Sequence, residues 1–140
     1  MKILKLLCIG LFVVLTSCGD DNETITTEDQ MSQFEGTWKG IFDCSGPLGE
    51  NEEQFEITLT NTQDNEFIFI AEDDLSATVY YVEDRIVFDN VLFNEGQGYD
   101  EMRLDGYISI RDTDQLTFIF EHEVDDDGIS NCEVYLDRIN

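Results

Sequence analysis

A chain of 140 residues with 32 acidic and seven basic side chains carries a formal charge of −25. Such a field repels nucleic acid and anionic lipid surfaces, and it attracts cationic proteins or metal ions. The length suits one compact domain with a core of modest size.

The first segment carries Lys2 and Lys5 around the start of an apolar run, Leu6 to Leu15. A basic start, a short apolar core and small residues at its end are the parts of a secretory signal peptide. The run is about half of the ~20 residues that a transmembrane helix needs. Leu15-Thr16-Ser17-Cys18 resembles the lipobox of bacterial lipoproteins, a large apolar residue and two small ones before a cysteine. The resemblance implies a signal peptide over 1–17, cleavage before Cys18 and lipidation of Cys18. Acyl chains there would anchor the protein to the outer membrane, at roughly 0.8 kcal/mol per buried methylene. Asp20-Asp21-Asn22-Glu23 resembles export signals of surface lipoproteins in some Gram-negative lineages, so a periplasmic or cell-surface position is expected. Cleavage removes Lys2 and Lys5 and no acid. The mature chain then carries 5 − 32 = −27.

Four cysteines resolve by subtraction. Cys8 leaves with the signal peptide and Cys18 carries lipid. Cys44 and Cys132 remain as a pair in an oxidising compartment, where disulfides persist. Their separation, 132 − 44 = 88 residues, corresponds to roughly 4–5 kcal/mol on the chain-entropy model. Two cysteines are too few for a zinc site.

Residues 18–33 are polar, acidic and aperiodic, which predicts a lipidated, unstructured tether. From 34 to 140 the pattern becomes alternation broken by turn residues, the signature of strands. Thr37 to Cys44 places Trp38, Gly40, Phe42 and Cys44 on one face. Glu53 to Thr60 places Phe55, Ile57 and Leu59 inside. Glu66 to Ala71 is apolar on both faces. Leu75, Ala77, Val79 and Tyr81 share a face in the next strand. Arg85 to Phe93 is less regular, with a bend expected at Asp89-Asn90. Met102, Leu104, Gly106, Ile108 and Ile110 line one side of Glu101 to Arg111. Gln115 to Glu123 groups Leu116, Phe118, Phe120 and His122. Asn131 to Ile139 groups Cys132, Val134, Leu136 and Arg138.

No stretch shows a helical period, and the connections are short enough for hairpins. The expected fold is all-β, an eight-stranded antiparallel up-and-down barrel, with a β-sandwich as the alternative. In a closed barrel the first and last strands are neighbours. Cys44 and Cys132 would then staple the seam, whereas an open meander would leave them beyond the ~7 Å limit between Cα atoms. Trp38 and Arg138 would meet at the other end of that seam, where a guanidinium over an indole contributes roughly 0.5–2 kcal/mol. Gly36 would let the chain bend into the first strand.

Gly36-Thr37-Trp38-Lys39, with Arg138 placed to cover the tryptophan, resembles the opening signature and last-strand arginine of the calycins, the lipocalin superfamily. The resemblance implies a lipocalin-like barrel that binds a small apolar ligand. The inward positions Phe42, Phe55, Ile57, Tyr81, Phe118 and Phe120 are the pocket candidates, although eight-stranded barrels can be filled by their own side chains. An acidic barrel would also recruit a cationic protein at a salt-sensitive rate. In architecture and charge the chain is similar to small lipid-anchored inhibitors of lysozyme. A filled barrel with a structural role completes the alternatives.

No enzyme is expected. His122 lies between two glutamates without a matched serine or cysteine nucleophile. The Asp125 to Gly128 stretch has oxygen ligands but lacks the spaced glutamate of a calcium loop, and is read as a turn. A monomer with no metal or cofactor and no nucleic-acid partner is the expectation.

Overall fold

A computed structural model describes residues 26–46, 54–71, 75–93, 102–124 and 128–139. The signal segment, Cys18 and the stretch 125–127 lie outside the described residues, as does the side chain of Phe42.

Eight strands follow one short helix: α1 (Thr27–Ser32), β1 (Gly36–Ser45), β2 (Gln54–Gln63), β3 (Glu66–Ala71), β4 (Ser76–Val82), β5 (Arg85–Phe93), β6 (Met102–Asp112), β7 (Gln115–Val124) and β8 (Gly128–Arg138). Each strand pairs antiparallel with the next, and β8 returns to pair with β1. Closure removes every free sheet edge. The sandwich alternative is thereby excluded.

The two ends of the barrel differ. At one end the hairpins turn tightly, and Glu83 and Asp84, between the paired Val82 and Arg85, both adopt positive φ. That is the primed turn whose twist matches the flanking strands. At the other end the strands are joined by 47–53, 72–74, 94–101 and 125–127, outside the described residues. We call the first the closed end and the second the mouth.

Strand parity is as the alternation dictates. Trp38, Ile57, Leu59, Phe67, Phe69, Val79, Ile86, Phe88, Ile108, Leu116, Phe118, Val134 and Leu136 are buried in one core. The doubly apolar Glu66 to Ala71 stretch turns Phe67, Phe69 and Ala71 inward. The bend in β5 is a bulge between Phe88 and Val91, with Asn90 at φ 50°. Asp105 Oδ1 accepts from the Asn90 backbone N–H at 2.6 Å and fixes it.

Two expectations need correction. The unstructured tether over 18–33 gives way to α1 in its last part. Thr26 caps the helix: its hydroxyl accepts from Asp29 N at 3.2 Å, and its own N–H donates to Asp29 Oδ2 at 3.1 Å. Six residues are far too few to hold a helix alone. Docking supplies the rest, since Met31 packs on the core and Tyr81 Oη reaches Gln30 Oε1 at 3.4 Å. β8 also begins at Gly128, ahead of the expected Asn131, because Val124 and Gly128 already pair across the hairpin.

Candidate functional site

At the closed end the side chains of the seam are committed to closure. Trp38 and Arg138 stand opposite each other in the β1–β8 register, and the guanidinium carbon sits 4.1 Å from the indole centroid. Trp38 Nε1 donates to Phe34 O at 2.9 Å. Arg138 donates to Glu35 O at 2.6 Å and Gln33 O at 2.7 Å, and its Nε lies 3.4 Å from Asp114 Oδ1. Gly36 has φ 131°, and a Cβ there would lie 2.8 Å from Arg138 Nη1. Only glycine suits both the backbone and the arginine. Phe34 plugs the opening, edge-on to Phe67 at 6.4 Å and to Tyr81 at 5.8 Å. Burial, reinforced by a 2.9 Å hydrogen bond to Asp84, pushes the Tyr81 hydroxyl up to about 12.

The interior candidates do not gather around one opening. Phe118 lies 4.4 Å from Phe120, 5.0 Å from Phe88, 6.0 Å from Phe69 and 6.4 Å from Phe55, ring centre to ring centre. These rings fill the middle of the barrel. Ile57 is buried in the same core, and Tyr81 belongs to the closed end.

Near the mouth the seam carries the Cys44–Cys132 disulfide, whose residues are direct cross-strand partners 4.1 Å apart at Cα. One inward position further toward the mouth, His122 lies between Leu104 on β6 and Ser130 on β8. His122 is 9% exposed and its Nε2 is buried without a hydrogen-bond partner. Burial lowers its pKa below the usual imidazole value, so the ring is neutral at pH 7.

The outer wall carries an open concavity of about 530 Å³ across β1, β8, β7 and β6. Its floor includes Tyr107 and Ile119, and its acids are Asp43, Glu133, Asp105 and Glu121. Gly106 shapes it: a Cβ there would meet Ile119 O, so glycine lets β6 close against β7. The register sets Asp43 directly opposite Glu133, and Asp105 directly opposite Glu121. Like charges at such positions repel. Elsewhere on the wall charges alternate: Lys39 lies between Glu56 and Asp137, and Arg103 faces Glu123. Sequence reasoning missed the four acids because they lie on four strands, and only the register sets them opposite one another. The available signal was their shared outward parity. Among the described residues no His, Cys, Asp and Glu side chains are grouped closely enough to hold a metal ion.

No family model matches the chain, and no curated protein matches it. Solved structures do. A redesigned β-barrel is 18% identical, with a TM-score of 0.55 over 78% of this chain and 94% of its own. EF1p2_mFAP2b, solved bound to DFHBI, is 11% identical, with a TM-score of 0.51 over 81% of this chain and 100% of its own. At these identities the likeness is one of fold: the chain is an eight-stranded antiparallel β-barrel.

Proposed function

We propose that this protein is a lipid-anchored, non-catalytic binding module of the cell envelope that captures a cationic protein on the acidic wall of its barrel. The observation that carries this reading is the pair of opposed carboxylate couples, Asp43 with Glu133 and Asp105 with Glu121, around an open concavity. Cross-strand pairs contribute roughly 0.2–1 kcal/mol each, favourable or unfavourable by sign. A wall that keeps two repulsive couples gives up stability, and an incoming lysine or arginine removes the repulsion. Tyr107 and Ile119 on the floor offer apolar contact for the stem of such a side chain. Anchoring rests on the lipobox-like Leu15 to Cys18. An apolar ligand deep inside the barrel has less support, because the ring cluster around Phe118 occupies that space.

The test joins stability to binding. Asp43→Asn with Glu121→Gln should raise the denaturation midpoint, since each couple loses one charge. The same variant should bind a cationic probe protein, lysozyme, more weakly and with a shallower dependence on salt. Asp64→Asn with Glu83→Gln, which removes equal charge at the closed end, should leave binding close to wild type. Equal loss from both variants would reduce the effect to net charge and sink the assignment to this wall.

A further inference from the structure

Across the middle of the outer wall one line of residues pairs without a break. Ile119 on β7 faces Tyr107 on β6, Tyr107 faces Val87 on β5, and Val87 faces Tyr80 on β4. All four take the outward parity. Tyr80 and Ile119 are exposed, and Tyr107 and Val87 are partly covered. With strands about 4.8 Å apart, the band runs roughly 14 Å between its end residues. Its two long edges differ. One outward position toward the mouth, the same strands carry Glu121, Asp105 and Asp89, all exposed. One outward position toward the closed end they carry Thr117, Ser109, Arg85 and Val82, and no acid. Arg85 lies over Tyr107, its guanidinium carbon 4.5 Å from the ring centre. Single apolar residues on a surface are ordinary, whereas a contiguous band with a polar rim marks an interaction site.

Closure of the barrel limits what can cover this band. A closed sheet has no free edge, so an extended peptide finds no ladder to join. A helix carries its own backbone hydrogen bonds and brings only side chains to the surface. Apolar residues at i, i+4, i+7 and i+11 span roughly 16 Å along a helix, close to the length of the band. Lysines or arginines along one flank of that stripe would meet Glu121, Asp105 and Asp89. The other flank would lie beside Arg85 and carry no cation. A second copy of this chain is a poor occupant, since two strongly negative surfaces repel. We propose that Ile119, Tyr107, Val87 and Tyr80 dock an amphipathic α-helix of a partner protein, with its basic flank turned toward the mouth. The helix would belong to the cationic protein that the acidic wall is read as capturing, a reading on which this assignment rests. Tyr80 and Val87 extend the footprint beyond the concavity.

The probes are two leucine–lysine peptides of about 15 residues, roughly four helical turns, and hexalysine. One peptide has its leucines on a single helical face. The other has the same composition in an order with no apolar face. The full chain should bind the first about tenfold tighter than the second, because only the first can bury its leucines on the band. The barrel is nearly all strand, so the bound peptide's gain of helix is readable by circular dichroism. Tyr80→Ser with Val87→Thr should abolish the preference, while hexalysine should bind this variant as it binds wild type. Equal affinities for the two peptides in wild type, or binding without a gain of helix, overturn the helix alone. So does a preference that survives Tyr80→Ser with Val87→Thr. Hexalysine that binds Asp43→Asn with Glu121→Gln as tightly as wild type overturns the acidic wall, and the helix with it. The wild-type comparison of the two peptides decides even if the Tyr80 and Val87 variant fails to fold.

Discussion

Arg138 joins elements that are far apart in sequence. Its guanidinium covers Trp38, donates to the carbonyls of Gln33 and Glu35, and lies beside Asp114. Arg138→Ala should cost roughly 1–3 kcal/mol, the range for losing a cation–π contact and uncovering partnered carbonyls. Trp38→Ala should cost roughly 3–5 kcal/mol, because a large buried ring leaves a cavity. Denaturant unfolding of the double variant should show less than the sum, since residues in contact couple. Strict additivity would mean that the stacking contributes nothing. His122 gives a second prediction. Its folded-state pKa is depressed by burial, so below the ordinary value near 6.5 the unfolded chain binds a proton that the folded chain refuses. The contribution is fully present above that pH and is lost as pH falls, by at most about 1.4 kcal/mol per pH unit. The stability difference between wild type and His122→Leu should therefore shift toward the variant between pH 7 and pH 5. A difference that stays flat over this range would show that the imidazole is not buried neutral.

At the scale of elements, alternation was enough to find most strands, because a half-buried strand must alternate; Glu66 to Ala71 was read from an apolar run instead, and the bulge in β5 made Arg85 to Phe93 less regular. The seam was legible too: Trp38, Cys44, Cys132 and Arg138 share inward parity at matching ends of β1 and β8, and only closure brings them together. The helix was not legible from periodicity, since six residues show less than two turns. Its capping box, Thr26 with Asp29, was present in the sequence and was the signal to read. The acidic wall was hidden for another reason. A register unites Asp43 with Glu133 and Asp105 with Glu121, and register is set by turns and bulges that alternation does not encode. The disulfide tests the seam directly. Replacing Cys44 and Cys132 together by Ala should lower the denaturation midpoint by the equivalent of roughly 4–5 kcal/mol, the chain-entropy value for a loop of this length. The variant should still close, because the pairs Asp43 with Glu133 and Ser45 with Asn131 continue the ladder on either side. A loss of cooperative unfolding would show instead that the bridge is what closes the barrel.

At the scale of the whole molecule, the docked helix sets which end of the barrel a lipid on Cys18 would hold. Cys18 and the cap of α1 are only 26 − 18 = 8 positions apart. Fully extended they reach less than about 29 Å. α1 is held at the closed end through Tyr81, Met31 and the carbonyl of Gln33. If Cys18 is lipidated as its flanking residues imply, the closed end lies near the membrane. Strands of ten or eleven residues, tilted as in other barrels, then put the mouth roughly 25 Å further out. The acidic wall, which includes Asp43 and Ser45 near the end of β1, belongs to that outer half. That wall would thus be presented away from the lipid, and the anionic surface of the bilayer would repel the barrel and help to keep it upright. Trp38 is the chain's single tryptophan and lies at the closed end, so it reports this orientation. With the lipidated protein on vesicles containing dansyl-labelled headgroups, energy transfer from Trp38 should be efficient. Moving the reporter to the mouth with Trp38→Phe and Ile129→Trp should reduce the transfer severalfold, because its efficiency falls steeply with distance. Equal transfer from both positions would mean that the barrel lies on its side, and the outward presentation of the acidic wall would fall with it.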